Sequence, residues 1–108
     1  MKSAVAIMLS CFSLLPLSAH SRDPKTNWMN NCLQCHGPDG SADTMMGKAV
    51  NAKDLTSAQV QASFTDAQAA AAIKDGVKQK DSAMPAFGGK LTDDEIRALV
   101  AYIRTLRK

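Results

Sequence analysis

Aromatic residues, cysteines and excess charge are all scarce in this chain of 108 residues. One Trp, one Tyr and three Phe make up 5% of the sequence, which is little for the core of a small domain. Small domains with so few large side chains usually need disulfides, a metal or a cofactor to stay folded. Three cysteines are too few for a disulfide framework. The composition therefore favours one small domain that holds a bound group.

The charge and hydrophobicity of the chain exclude several further classes. A net charge of +3, from 13 Lys+Arg against 10 Asp+Glu, is far from the dense positive surface of a dedicated nucleic-acid-binding protein. Hydrophobic residues at 45% exclude an intrinsically disordered chain. The longest apolar run is shorter than the about 20 residues that a transmembrane helix needs. We expect no nucleic-acid partner and no membrane span in the mature chain.

The N-terminus has the pattern of a secretory signal peptide. A lysine directly follows the initiator methionine, residues 4–17 are almost wholly apolar, and small residues come before the first charged segment. We therefore predict a signal peptide over residues 1–21, cleaved after Ala19 or Ser21, and a single domain over residues 22–108. The predicted location of the mature protein is the periplasm.

The segment Cys32-Leu33-Gln34-Cys35-His36 contains both cysteines of the predicted mature chain. A thioredoxin-type redox pair would need a βαβ setting, and the sequence has no strand pattern. A zinc site would need a fourth ligand, and His20 falls at the predicted cleavage point. Two thiols at this spacing reach the two vinyl groups of one porphyrin, and the adjacent histidine ligates its iron. We therefore predict one covalent haem c on Cys32 and Cys35, with His36 as an axial iron ligand.

With this motif in place, the mature chain resembles class I cytochromes c, and in particular small soluble monohaem bacterial ones. Residues 83–92, Ala-Met-Pro-Ala-Phe-Gly-Gly-Lys-Leu-Thr, are similar to the distal methionine loop of small bacterial and algal photosynthetic cytochromes c. Residues 93–104 are similar to their C-terminal helix. The resemblance implies an all-α cytochrome c fold, with three to four helices around one covalently bound haem and with crossing N- and C-terminal helices. It also implies contact between Trp28 and Tyr102, and it places Pro24 where most of the family has a glycine.

Capping residues predict where the helices begin. Asp23 is a suitable N-cap for the first helix, and capping boxes begin at Thr65 and at Thr92. The apolar stripe of the last helix repeats every three or four residues. The predicted helices run over residues 24–35, 56–63, 66–75 and 93–106, and residues 41–55 are predicted to form an irregular loop.

The sixth iron ligand separates an electron carrier from a gas-binding or catalytic haem protein. The mature chain offers four methionines. Met29 is close to the first haem cysteine and is predicted to lie in the core, while Met45 and Met46 follow His36 too soon to reach the other haem face. Met84 remains, and it lies in the segment that resembles the distal methionine loop. We therefore predict His36 and Met84 as the axial ligands.

Other groups are expected around the haem. A backbone carbonyl near Met46 or Gly47 is predicted to orient His36 through its second ring nitrogen. Lys53 and Gln59 are candidate donors to the haem propionates. Six lysines fall in segments predicted to surround the haem. Two interpretations are open for them: they solvate the surface of a small protein, or they form a weakly basic rim that steers an acidic redox partner. The six are Lys48, Lys53, Lys74, Lys78, Lys80 and Lys90.

The function predicted from these residues is that of a periplasmic one-electron carrier, and not of an enzyme. It would pass electrons between respiratory or dehydrogenase partners, a donor and an acceptor, in transient encounters. Two alternatives remain open at this stage. One is a haem-based gas sensor or small catalytic haem protein with a labile sixth ligand. The other is an electron-entry subunit of a larger redox enzyme.

Overall fold

The computed structural model describes residues 3–4 and 21–108. Most of the predicted signal peptide, including the cleavage position after Ala19, lies outside the described residues. The elements in chain order are α1 (Pro24–Asn31), α2 (Leu33–His36), α3 (Met45–Ala49), α4 (Ala58–Ala62), α5 (Asp66–Asp75), β1 (Val77–Gln79), β2 (Ser82–Met84) and α6 (Asp93–Thr105). None of the helices in this part of the chain is long and apolar enough to cross a membrane.

The helix-rich architecture confirms the predicted fold class. The described residues contain six helices rather than three to four, because α2, α3 and α4 are short segments of four or five residues. The predicted first helix is divided in two, since Cys32 leaves ideal helical geometry at φ −115° and ψ −27°. The main supports of the fold are therefore α1, α5 and α6.

Side-chain caps fix the starts of these three helices. The Asp23 carboxylate accepts from the backbone N–H groups of Lys25 and Thr26 at the start of α1. Both predicted capping boxes are present, one at Thr65 for α5 and one at Thr92 for α6. Each box satisfies two backbone N–H groups that the first helical turn leaves without a partner.

Helices α1 and α6 pack against each other, as the resemblance implied. Trp28 is 1% exposed, and its ring centroid lies 5.7 Å from that of Tyr102 on α6. Leu99 is fully buried in the same cluster, together with Ile96 and Ile103. Burial of such side chains stabilises the fold by about 1.5–3 kcal/mol each. The proline at position 24 therefore does not prevent close contact between the first and last helices.

The expectation that the chain contains no strand is wrong. Strands β1 and β2 form an antiparallel hairpin in which Val77 pairs with Met84. Each strand has only three residues, so the sequence is too short to show an alternating pattern. The hairpin follows Gly76, whose φ of +77° suits glycine and ends α5.

Two further sequence predictions are also wrong. The predicted irregular loop over residues 41–55 contains α3, which Thr44 caps by accepting from the backbone N–H of Gly47. Met29, predicted to lie in the core, is 43% exposed. The weak amphipathic pattern of α1 explains the second error, because it does not define which face of the helix is buried.

Candidate functional site

One helical turn carries both thiols of the Cys-x-x-Cys-His motif. Cys32 and Cys35 are three residues apart across the start of α2, and this spacing places them on one helix face. Cys32 is buried, Cys35 is half-buried, and no disulfide joins them. Burial, with a smaller contribution from Cys35, raises the pKa of the Cys32 thiol to about 11. The reactive cysteine of a redox pair has a lowered pKa, so this environment does not resemble such a pair.

His36 ends the same turn and is oriented by a backbone carbonyl. Its Nδ1 lies 3.1 Å from the carbonyl oxygen of Lys53, so Nδ1–H donates and Nε2 keeps its lone pair. The acceptor predicted near Met46 or Gly47 is therefore wrong. Burial lowers the pKa of His36, although the bond to Lys53 opposes this effect. The imidazole is thus held in the neutral form that ligates metals.

Neighbouring groups fix the backbone of the motif. The indole Nε1–H of Trp28 donates to the carbonyl of Gly37 at 3.1 Å, and the Trp28 ring lies 5.8 Å from that of His36. The hydroxyl of Thr44 donates to the carbonyl of Cys35 at 2.7 Å. The motif is therefore held by the core on one side and by the start of α3 on the other.

Met84 reaches the site from a different part of the chain. It is the last residue of β2 rather than part of an irregular loop, and it is half-buried against the core. The backbone around it is anchored at two points. Ala83 donates to the carbonyl of Val50 at 3.4 Å, and Phe87 donates to the carbonyl of Ile73 at 2.8 Å.

One cavity brings these side chains together. It has a volume of about 510 Å³, and Cys32, Cys35, His36 and Met84 all line it. This volume falls in the range of about 300–1,000 Å³ that is usual for ligand and cofactor sites. Apolar side chains complete much of the lining, including Leu55, Phe64, Ile73, Val77, Phe87 and Ile103.

The donor set of this cavity fits a c-type haem. Two thiols and a neutral imidazole lie on one helical turn, and a thioether sulfur comes from a separate strand. Within residues 21–108, no three His, Cys, Asp or Glu side chains converge as they would around a metal ion. The arrangement therefore suits a large, mainly apolar group that is held by two thiols and two further donors.

Polar residues at the edge of the cavity were only partly predicted. Lys53 lines it, whereas Gln59 is exposed on α4 and is not among the lining residues. Asn51 also lines it, in a left-handed conformation with φ of +54°. Left-handed asparagine occurs in many turns, so the sequence alone gave no signal that this one faces a cavity.

A second depression lies between α5 and α6. It has a larger volume of about 620 Å³, but its lining is made of alanines, Ile96, Val100 and charged side chains such as Asp66 and Arg97. It contains no cysteine, histidine or methionine. The cavity at the Cys-x-x-Cys-His motif is therefore the candidate functional site.

Comparison with known proteins agrees with this geometry. Residues 19–103 match the family described as cytochrome c oxidase, cbb3-type, subunit III. The structure is also similar to the KustC0563 c-type cytochrome, with a TM-score of 0.70 and 31% sequence identity over 81% of this chain and 100% of that one. A tyrosine-to-phenylalanine mutant of KustC0563 matches with a TM-score of 0.66 and 30% identity, covering 80% of this chain and all of that one. The chain therefore belongs to this cytochrome family: it is a small c-type cytochrome, and its chemistry is haem-based electron transfer.

Proposed function

We propose that the chain is an exported one-electron carrier with a single haem c. The observation that carries the proposal is that one cavity collects Cys32, Cys35, His36 and Met84 from two separate segments. Haem iron, when bound, alternates between its ferrous and ferric states and so accepts and releases one electron. The sequence contains one Cys-x-x-Cys-His motif, which supports one haem per chain.

Each of the four side chains has a distinct part in this proposal. Cys32 and Cys35 supply the thioether sulfurs that attach the haem. His36 would ligate the iron through Nε2, because the carbonyl of Lys53 engages its Nδ1. Met84 would supply a second ligand, a soft thioether that would raise the reduction potential relative to a second histidine.

The surroundings of the cavity favour electron transfer over ligand exchange. Met84 is fixed by the hairpin pairing to Val77 and by the backbone anchors on either side of it. Met45 and Met46 are 92% and 43% exposed on α3 and do not line the cavity. A methionine held in this way would remain in place in both oxidation states of a bound haem, so that the site would change little when an electron moves. A gas sensor would instead need a sixth ligand that leaves easily.

The proposed partners are transient redox proteins with acidic docking surfaces. Of the six lysines predicted to surround the haem, Lys53 lines the cavity, the other five are not among its lining residues, and Lys74 lines the second depression instead. Lys48 pairs with Asp43 at 2.9 Å, and Lys74 pairs with Asp93 at 3.2 Å. The other four are exposed, and none of them forms an ion pair within the described part of the chain. They are Lys53, Lys78, Lys80 and Lys90. The resulting electrostatic steering is modest and decreases with salt.

A carbon monoxide binding experiment on Met84→Ala tests whether Met84 ligates the iron, as the proposed carrier requires. The variant is expected to keep its covalent haem, because both cysteines and His36 are unchanged, and to bind carbon monoxide through the vacated axial position. Met45→Ala is the matched control, since it removes the same side chain from an exposed position. If Met84→Ala excluded carbon monoxide as well as the unmodified protein does, Met84 would not be the ligand.

The family match favours a second candidate function, that of an electron-entry subunit in a larger oxidase. The family is described by the name of an oxidase subunit. The two functions differ in the lifetime of the complex. Purification of the native protein from its source without detergent and with mild detergent, followed by size analysis, separates them. A carrier migrates alone in both preparations, whereas a subunit co-purifies with its oxidase.

A further inference from the structure

The backbone just before α1 is bound to the last helix. The N–H of Arg22 donates to Oε2 of Glu95 on α6 at 3.2 Å. Its carbonyl accepts from the Asn27 side-chain amide at 3.4 Å, and the next residue, Asp23, is the N-cap of α1. The backbone of Arg22 is thus docked on the domain at both of its polar groups.

The carboxylate that receives Arg22 is buried and negatively charged. Glu95 is 8% exposed, and its Oε2 also accepts from the Asn27 amide at 2.9 Å. Its Oε1 accepts from the N–H of Thr92 at 3.1 Å in the capping box. These bonds, with that from Asn27 as the largest contribution, hold the pKa of Glu95 below its usual value. Within residues 21–108, no Lys or Arg side chain forms an ion pair with this carboxylate.

The sequence just before Arg22 fits a cleavage site for the peptidase that removes signal peptides. Cleavage after Ser21 places Ala19 and Ser21 three residues and one residue before the cut, which is the small-x-small arrangement of such sites. Cleavage after Ala19 would place the larger Leu17 at the third position before the cut. The sequence pattern therefore favours the bond between Ser21 and Arg22, and cleavage there would place the new N-terminus on the nitrogen atom that contacts Glu95.

We propose that the signal peptide is removed after Ser21, and that the new α-ammonium group of Arg22 then pairs with the Glu95 carboxylate as its counter-ion. This inference rests on the export proposed above. Cleavage after Ser21 turns a neutral amide donor into a cation at the place where the amide now donates. The bond that Arg22 now makes has a charge only on its acceptor, whereas the bond after cleavage joins two opposite charges and gains their attraction. Cleavage after Ala19 leaves two residues before Arg22 and a neutral amide at Arg22.

Intact mass and N-terminal sequence of the exported protein test the cleavage position. The full chain is expressed with its own leader in a bacterium that matures c-type cytochromes, and the periplasmic fraction is purified. The expected product begins at Arg22. A product that begins at His20, or at any other position, overturns the inference while leaving export intact. A chain found uncleaved in the cytoplasm overturns both the inference and the proposed export, whereas a chain found uncleaved in the membrane fraction overturns the inference alone.

A thermodynamic cycle tests the counter-ion. Glu95→Gln removes the charge but keeps the capping box, because Gln68 performs the same part in the box of α5. A Gly-Gln insertion between Ser21 and Arg22 moves the α-ammonium group away and leaves an amide at Arg22, and it creates no second small-x-small site directly before Arg22. Asp94→Asn is the matched control, since it removes a neighbouring carboxylate from the same helical turn.

Urea unfolding of the exported haem proteins at about pH 6, where an α-amino group is protonated, gives the readout. Glu95→Gln is expected to raise the unfolding equilibrium constant by about 1.5- to 5-fold more in the chain that begins at Arg22 than in the insertion chain. Asp94→Asn is expected to have equal effects in both chains. Equal effects of Glu95→Gln in the two chains would refute the proposed pairing of the α-ammonium group with Glu95.

Discussion

Substitution of Gly47 by alanine gives a test in which two physical effects have opposite signs. Gly47 is buried in the middle of α3, where alanine is preferred over glycine by about 1 kcal/mol of helix propensity. An added Cβ, however, would overlap the carbonyl oxygen of Cys35 and lie 2.8 Å from both the Ala42 carbonyl oxygen and Thr44 Oγ1. Two of these three atoms belong to the backbone, so they cannot move away independently.

The steric effect is expected to be the larger one. Overpacking of a close contact costs about 1–3 kcal/mol, and movement of Thr44 would also weaken its cap, which is worth about 1 kcal/mol. After the gain in propensity is subtracted, Gly47→Ala should lower the free energy of unfolding by about 1–3 kcal/mol. Because the contact is with Cys35 itself, the substitution should also disturb the haem environment.

Urea unfolding and the absorption spectrum of the haem protein measure both effects. Gly89→Ala is the control, because an added Cβ there meets nothing within 4 Å. The expected result is a lower unfolding midpoint and an altered spectrum for Gly47→Ala, with little change for Gly89→Ala. If Gly47→Ala were as stable as the unmodified protein or more stable, α3 would not pack closely on the haem motif, and the reasoning would be refuted.

Three further predictions follow from the site and its supports. The double substitution Cys32→Ala, Cys35→Ala should give a haem-free protein with weak helical circular dichroism, because the cavity would lose its main occupant; a stable helical apo-protein would refute this. His36→Ala should reduce the yield of mature haem protein, measured as haem per chain, whereas a normal yield would count against its role as a ligand. Hydrogen bonds lower the pKa of Asp23; the largest contribution comes from the Thr26 hydroxyl, and backbone N–H groups add to it. The ionised carboxylate therefore contributes stability above its unfolded pKa of about 3.8, and this contribution is lost as the pH falls through the folded pKa. Asp23→Asn, which keeps an N-cap, should therefore flatten the acid side of a plot of urea midpoint against pH, and an unchanged slope would contradict this.

The parts of the fold that were predicted from the sequence are those set by neighbouring residues. The capping boxes at Thr65 and Thr92 involve side chains and N–H groups only three residues apart, so they can be recognised without knowing the tertiary structure. The packing of Trp28 against Tyr102 was instead implied by the resemblance to class I cytochromes c. That resemblance was also needed to select Met84.

The parts that were missed depend on contacts between distant segments. The carbonyl that orients His36 belongs to Lys53, 17 residues away, and a backbone carbonyl has no sequence signature. The hairpin that carries Met84 is stabilised by anchors to Val50 and to the end of α5, not by strand propensity. Helix α3 is short and forms where Gly47 can approach the backbone of Cys35, a contact visible only after folding.

The central proposal is that one cavity holds a haem c with His36 and Met84 as the iron ligands. The most direct test is the absorption spectrum of the unmodified, exported protein, oxidised and reduced, with and without carbon monoxide. The account predicts a low-spin haem spectrum in both oxidation states that carbon monoxide does not change. A haem that binds carbon monoxide readily would contradict the ligation by Met84, and the absence of a haem band in a host that matures c-type cytochromes would contradict the whole account.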